Sequence, residues 1–157
     1  MIILMVVIIL VVVPEQTNEI ISLSKAQTIY EIRNYISSPD IPYVVILGDI
    51  DLESLKGFCK EYFHKDHGER YRHIVIFRNK FPSENIVKFL NKKNNSKFII
   101  FLQGDPMNKE DLLRADILNA KSCIIFTNKD SLRKYNGDQQ ALLLAIFIKK
   151  FYYHNTL

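Results

Sequence analysis

One stretch of the chain, residues 42–66, constrains the fold more than any other. It begins with an unbroken run of β-favouring apolar residues, Tyr43 to Leu47, of the kind found in parallel strands that are covered on both faces. Gly48 ends this run, and from Leu52 to Phe63 apolar residues recur at helical spacing. The stretch therefore predicts a buried strand, a tight turn and an amphipathic helix, the opening unit of an α/β sheet.

The turn keeps the first glycine of a nucleotide-binding Rossmann unit and lacks the other two. The dinucleotide fingerprint G-x-G-x-x-G needs its second glycine for the approach of the pyrophosphate and its third for packing of the helix on the strand. Here those two positions hold Ile50 and Glu53, and Asp49 and Glu53 add negative charge that would repel a phosphate. The sequence therefore predicts a Rossmann-like fold that binds no NAD.

The rest of the chain alternates between apolar segments and helical patterns. Ser83 and Asn108 are the expected N-caps of two helices, and Asp138 is expected to open a last helix that runs through about Tyr152. This alternation implies right-handed crossovers and one parallel sheet with helices on both faces, in the strand order 3-2-1-4. After the first strand, the predicted strands are His73–Arg78, Lys97–Gln103 and Ser122–Thr127.

Composition narrows the class of protein. A hydrophobic fraction of 48% over 157 residues is enough for the core of one domain and argues against disorder. The net charge of +4 comes largely from lysines between residues 80 and 97, which we interpret as a solvated helix and loop. Nucleic-acid binding is not expected, since it would favour arginines and interleaved aromatic residues on one face.

The chain has only two cysteines, and neither lies in a zinc-binding or C-x-x-C spacing. Cys59 falls on the apolar face of a predicted helix and Cys123 in a predicted apolar strand. Both are expected to be buried free thiols, which fits a reducing compartment.

The first thirteen residues, MIILMVVIILVVV, carry no polar side chain. They are too few to span a bilayer, which needs about 20 apolar residues, and they lack the basic region and cleavage site of a signal peptide. A core strand is the other alternative, but it would seldom run so far without a break. We interpret residues 1–13 as the cytoplasmic half of a transmembrane helix, residues 14–41 as a linker, and residues 42–157 as a Rossmann-like subdomain that is incomplete at its C-terminus.

Three blocks of sequence resemble one protein family, the RCK (regulator of potassium conductance) domains of large-conductance calcium-activated potassium channels. GDIDLESLKGFCKEYFHKD resembles the first strand–helix unit of that domain, and FLQGDPMNKEDLLRADILNAKSCIIFTNK resembles its third-strand to fourth-strand block. DQQALLLAIFIKKFYYH is similar to the helix that follows, and is somewhat closer to the sodium-activated relatives. The V-P-E at residues 13–15 resembles the end of the pore-lining helix. The resemblance implies an N-terminal RCK subdomain without NAD.

The resemblance also implies ion sites, which this sequence keeps only in part. In calcium-activated members an L-H-K-D corner follows the first helix, and here the matching residues are 63–66, so that Asp66 corresponds to a calcium ligand and His64 to a histidine linked to proton sensing. Both residues could equally be an exposed helix end. One carboxylate cannot hold calcium, which takes six to eight oxygens, so calcium is expected only in the full-length protein. The two glutamates of the family's magnesium site align with His73 and Ile100, so that site is not expected.

The resemblance implies a function for the chain as a gating-ring segment of a homotetrameric potassium channel, in which ion binding would be coupled to pore opening. The channel would be an integral membrane protein that conducts potassium ions, with residues 14–157 in the cytoplasm. No enzymatic activity is expected, because Asp105 and Asp111 read as turn and helix-start residues and no nucleophile elbow or P-loop is present. The alternative is a membrane-anchored Rossmann-type enzyme or sensor that binds a nucleotide. Residue patterns do not identify the activating ion, the voltage sensitivity or a selectivity filter.

Overall fold

A computed structural model describes residue 17 and residues 29–67, 72–127 and 136–156. The chain divides into two compact units, the first ending at Ile32 and the second running from Arg33 to Leu157. In the first unit, residues 29–32 are helical. The predicted transmembrane segment, residues 1–13, lies outside the described residues, and within the described residues no helix is long and apolar enough to cross a membrane.

The second unit is built on four parallel strands. They are β1 (Tyr43–Gly48), β2 (His73–Arg78), β3 (Ile99–Gln103) and β4 (Ser122–Phe126). Their order in the sheet is β3-β2-β1-β4, and the register places Val75 beside both Val45 and Ile100. The predicted order 3-2-1-4 and the Rossmann-like parallel sheet are therefore confirmed.

Helices connect the parallel strands, as parallel pairing requires. They are α1 (Leu52–Tyr62), α2 (Glu84–Leu90) and α3 (Lys109–Arg114), and a last helix, α4 (Asn136–Thr156), follows β4. Asn108 caps α3 with its side chain, whereas Ser83 occupies the N-cap position of α2 without a side-chain hydrogen bond. The last helix begins two residues before Asp138 and extends to Thr156, beyond the predicted end near Tyr152.

The strands differ from the prediction only at their ends. β3 begins at Ile99 instead of Lys97, because the backbone N–H groups of Phe98 and Ile99 both donate to the carbonyl of Asn95 and so prolong the preceding turn. β1 includes Gly48, and β4 ends one residue before Thr127.

The core lies on both faces of the sheet. One face carries a cluster to which α3 contributes Leu112 and α4 contributes Phe151, together with Tyr35 from the segment that precedes β1. Helices α1 and α2 bury other residues, Leu55, Cys59, Ile86 and Leu90. The chain runs outward from β1 to β3 and then returns to β4. Because its crossovers are right-handed, α1 and α2 lie on the opposite face of the sheet from α3.

The two cysteines differ in exposure. Cys59 is buried and free, and its desolvation raises the pKa of the thiol to about 12, in agreement with the prediction. Cys123 is exposed, so its predicted burial is wrong. The reason is its position in β4, which pairs with β1 at one edge of the described sheet and whose first two residues are exposed.

Candidate functional site: the crevice and the helix corner

The turn after β1 forms the floor of the crevice at the carboxyl ends of the strands, where open α/β sheets usually bind ligands. Gly48 has a φ of 89°, a left-handed conformation that favours glycine. A Cβ added there would lie 2.2 Å from the carbonyl oxygen of Phe126, to which the N–H of Asp49 donates. Gly48 is therefore required by the approach of β4 to the turn, whatever binds in the crevice.

The N-terminus of α1 is already occupied by a carboxylate of the chain itself. Asp51 is the N-cap, and its side chain accepts hydrogen bonds from the backbone N–H of Ser54 at 2.9 Å and from its hydroxyl at 2.8 Å. These bonds hold the pKa of Asp51 below its usual value. In a dinucleotide-binding domain this helix end receives the pyrophosphate, so Asp51 would compete with that ligand.

A second carboxylate, Asp49, forms a three-residue charge cluster across the crevice. Its Oδ1 lies 3.0 Å from Nη2 of Arg78, and its Oδ2 lies 3.2 Å from Nζ of Lys80. The side chain of Arg78 is only 12% exposed, so this pair lies partly in the protein and is screened less than an ordinary surface pair. The cations that could have met a phosphate are thus engaged by Asp49.

The crevice has a volume of about 470 Å³. Its lining combines the charge cluster with apolar side chains from β4 and α4 and the turn after β3, among them Phe126, Leu144 and Met107. Ile50, in contrast, is buried, and Glu53 is exposed and pairs with Lys56 at 2.8 Å. Asp49 and Glu53 were the two acidic residues expected to repel a phosphate, and of these two Asp49 lines the crevice.

The corner after α1 brings the two predicted ion-sensing residues together. His64 immediately precedes a 3₁₀ turn over Lys65–His67, and Asp66 lies within that turn. Nδ1 of His64 lies 3.2 Å from Oδ2 of Asp66 and 3.5 Å from the backbone nitrogen of Asp66. The Asp66 side chain is 83% exposed, so its carboxylate is accessible to solvent and to a cation.

Across the described residues, no three histidine, cysteine, aspartate or glutamate side chains come close enough to hold a metal ion. The two positions that align with the magnesium-site glutamates have other surroundings. Ile100 is buried in the core, and His73 lies at the start of β2, where its Nδ1 is 3.0 Å from the hydroxyl of Tyr35. Desolvation lowers the pKa of His73, so the neutral imidazole is favoured.

The hydroxyl groups around His73 are also held in the protein. The ring of Tyr35 packs on that of Tyr43 with centroids 4.7 Å apart, and the hydroxyl of Tyr43 donates to the carbonyl of Asp116. Burial raises the pKa of Tyr35 to about 12 and that of Tyr43 further. These groups form a neutral hydrogen-bonded cluster at the amino ends of β1 and β2.

The two aspartates that the sequence assigned to structural roles are engaged within the turn after β3. The side chain of Asp105 accepts from the N–H of Met107, and its own N–H donates to Oδ2 of Asp111, both at 2.9 Å. Oδ1 of Asp111 pairs with Arg114 at 2.6 Å. A Cβ on Gly104 would lie 2.9 Å from Cγ of Asp111, so the turn and the helix are tightly packed.

Comparison with known proteins identifies the family. A sequence model described as the calcium-activated potassium channel slowpoke-like RCK domain matches residues 41–157. The chain belongs to this family. It is 26% identical over 110 residues to "Potassium channel subfamily U member 1" of Rattus norvegicus, a match that covers 70% of this chain and 10% of that protein.

The fold is similar to that of a solved structure. The match to "Structure of the human SLO3 gating ring" has a TM-score of 0.54 at 21% sequence identity, over 70% of this chain and 17% of that one. This likeness supports the Rossmann-like fold of the RCK domain. The chain spans about a tenth of the curated relative and about a sixth of the solved chain.

Sequence reasoning missed three contacts of this RCK domain. The pairing of Asp49 with Arg78 joins the ends of two neighbouring parallel strands, and a charged residue closing an apolar strand was the available signal. Two hydrogen bonds, one between Tyr35 and His73 and one from Arg114 to the carbonyl of Arg33, join segments that are far apart in sequence. Their spacing carries no signal of either contact.

Proposed function

We propose that this RCK domain is a gating-ring segment of a potassium-channel subunit, in which ion binding changes the stability of conformations that open or close the pore. The observation that carries the proposal is the family match over residues 41–157. The similarity to a potassium channel subunit and to a gating ring supports the same conclusion. The domain would act as part of a homotetramer at a membrane, on the cytoplasmic side.

The crevice supports a regulatory role over a nucleotide-dependent or enzymatic one. Asp51 caps the helix end that would receive a pyrophosphate, and Asp49 engages Arg78 and Lys80. No ligand would then be needed to satisfy these charges. The alternative, a membrane-anchored nucleotide-binding enzyme or sensor, would require a ligand to displace both carboxylates.

Titration calorimetry of the chain with NADH and with ATP separates these two functions. We expect no saturable heat, since the charge cluster and the Asp51 cap oppose the phosphates. Saturable binding in the micromolar range would favour the alternative function and overturn the proposal that the crevice is free of nucleotide.

Calcium is the ion that we propose for activation, with Asp66 as one ligand. Its exposed carboxylate is available to a cation, and calcium prefers such hard oxygen ligands. The remaining ligands would come from parts of the channel outside this chain. Opening is then driven by tighter calcium binding in the open state than in the closed state.

The test is patch-clamp recording of the full-length subunit across calcium concentrations, with wild type compared to Asp66→Ala. Losing a charged ligand should raise the half-activating calcium concentration by roughly tenfold, which corresponds to about 1.4 kcal/mol of binding free energy. Opening without calcium should stay nearly unchanged. Glu53→Ala, which removes an exposed carboxylate from the start of α1, is the matched control. An unchanged calcium response in Asp66→Ala would reduce Asp66 to an exposed helix-end residue and favour a sodium-activated or ion-insensitive channel.

His64 would make the same corner sensitive to protons. A protonated imidazole 3.2 Å from the Asp66 carboxylate would pair with it and compete with calcium for that oxygen. His64→Gln should therefore remove part of the pH dependence of calcium activation. Equal pH dependence in the variant and the wild type would exclude this role.

A further inference from the structure

The segment that leads into β1, residues 33–38, is built into the domain. Tyr35 is 8% exposed and belongs to the core cluster of Val45, Val75 and Leu112. The residues around it, Asn34 and Ile36, are exposed. One aromatic side chain thus holds an otherwise exposed stretch against the face of the sheet.

Hydrogen bonds fix the backbone of this segment at three points. The N–H of Tyr35 donates to the carbonyl of Arg114 at 2.9 Å, and the N–H of Ser37 donates to Oδ2 of Asp116 at 3.2 Å. Nη2 of Arg114 donates to the carbonyl of Arg33 at 3.3 Å. We call these five residues, Arg33, Tyr35, Ser37, Arg114 and Asp116, the linker clamp.

Asp116 holds its place in the linker clamp in an unfavourable backbone conformation. Its φ of 51° lies in the left-handed region, which costs a residue other than glycine about 1 kcal/mol. The surroundings offset this strain. Its two carboxylate oxygens accept from Ser37 and, at 2.8 Å, from Asn119, while its carbonyl accepts from the hydroxyl of Tyr43. Strain of this kind persists only where neighbouring contacts over-determine it.

Arg114 connects the linker clamp to the crevice. The nitrogen that contacts Arg33 also donates to the carbonyl of Gln103 at 3.0 Å, and Nη1 pairs with Asp111. Asp111 in turn accepts from the N–H of Asp105, a residue that lines the crevice. A continuous chain of hydrogen bonds therefore joins the crevice edge to the carbonyl of Arg33.

We propose that the preceding chain is attached to this domain at the linker clamp and not at the start of β1. The part of the linker that is free to transmit a pull would then end at Arg33, and residues 38–42 would bear none of it. The role of the clamp in gating rests on the proposed function, whereas the attachment itself does not.

Amide hydrogen exchange in the 157-residue chain tests the attachment without a channel. The amides of Tyr35 and Ser37 should exchange roughly a hundredfold more slowly than in a disordered peptide, since their bonds break only when the segment detaches. Arg114→Ala should accelerate both by about tenfold or more and leave the amides of β1 unchanged. Lys109→Ala, an exposed residue of the same helix, is the control. Should Arg114→Ala unfold the domain, Asp116→Ala provides the same test at the Ser37 amide. Unprotected Tyr35 and Ser37 amides in the wild type would overturn the attachment.

Two matched insertions in the full-length subunit test the role in gating. Three glycines between Ile32 and Arg33 lengthen the chain before the linker clamp, and three glycines between Pro39 and Asp40 lengthen an exposed turn after it. The first insertion should lower the open-to-closed ratio by about fivefold, the lower end of ordinary coupling, and the second should leave the ratio unchanged.

The outcomes distinguish the attachment of the segment from its role in gating. A measurable effect of the same size from both insertions would overturn the linker clamp as the point of attachment. No effect of either insertion, in a domain whose Tyr35 and Ser37 amides are protected, would overturn the coupling of this domain to a pore and with it the role of the clamp in gating.

Discussion

The two ends of the same four strands satisfy their polar groups in different ways. At the carboxyl end, charged residues pair at the crevice, as Asp49 does with Arg78 and Lys80. At the amino end, neutral groups such as Tyr35 and His73 form a hydrogen bond with each other, and their rings also pack together. The difference is that one end keeps an open crevice whose charged side chains pair with one another, while the other end packs against the segment that precedes β1.

The largest expected effect is at the turn of the carboxyl end. Gly48→Ala should lower the free energy of unfolding by roughly 3 kcal/mol, because alanine is strained at a φ of 89° and its Cβ would collide with the Phe126 carbonyl. Gly57→Ala is the matched control, since a Cβ there meets nothing within 4 Å and alanine favours the middle of a helix. That change should stabilise the domain by about 0.5–1 kcal/mol. Urea denaturation measures both, and equal effects at the two glycines would contradict the close approach of β4 to the turn.

The next effect concerns the charge cluster. Asp49→Ala leaves the mostly buried guanidinium of Arg78 without its carboxylate and should cost about 1–2 kcal/mol, less than for a fully buried pair because Asp49 is partly exposed. Glu53→Ala breaks the exposed pair with Lys56 and should change stability by less than about 0.5 kcal/mol. The free energies of unfolding of the two variants, measured by chemical denaturation at low and high salt, provide the comparison. If the two substitutions cost the same, the cluster is an ordinary surface ion pair.

The smallest effect is a pH dependence at the amino end. Desolvation lowers the pKa of His73 in the folded domain, so the unfolded chain takes up the proton more readily. Stability should therefore be complete above the unfolded value of about 6.5 and decline as the pH falls below it.

The matched variants for this pH dependence are His73→Gln and His154→Gln. Glutamine at position 73 keeps an acceptor for the Tyr35 hydroxyl and should flatten the decline between pH 7.5 and about 5.5, while glutamine at the exposed His154 should not. Unfolding free energies measured across that range provide the test. The same slope in wild type and His73→Gln would exclude His73 as the titrating group.

The fold was predictable from local signals. Apolar runs such as Tyr43 to Leu47 are buried for their whole length, and Gly48 and Asn108 mark the turn and a helix start by chemistry that acts over a few residues. The strand order followed from the Rossmann-like alternation of strands and helices, and the sheet confirms it.

The contacts that distinguish the two ends were not predictable, because they depend on which residues the topology brings together. Cys123 and Val45 both lie in apolar strands, yet Cys123 is exposed because its strand is at an edge and Val45 is buried between two neighbours. Tyr35 likewise fell in a stretch interpreted as linker, and the structure places it in the core. A single sequence does not specify such long-range neighbours, and Asp66 and His64 remain predictions for the same reason.

The Asp51 cap adds to the changes that would be needed to build a dinucleotide site at this turn. A dinucleotide fingerprint would require glycine in place of Ile50, which removes a side chain that is 3% exposed, and in place of Glu53, which puts glycine in the first turn of α1. Each change destabilises the domain, by about 2 kcal/mol or more for the lost burial and about 1 kcal/mol for the helical glycine. Asp51 would still occupy the helix end after both changes. Building a dinucleotide site at this turn would thus cost stability twice before the Asp51 carboxylate itself is replaced.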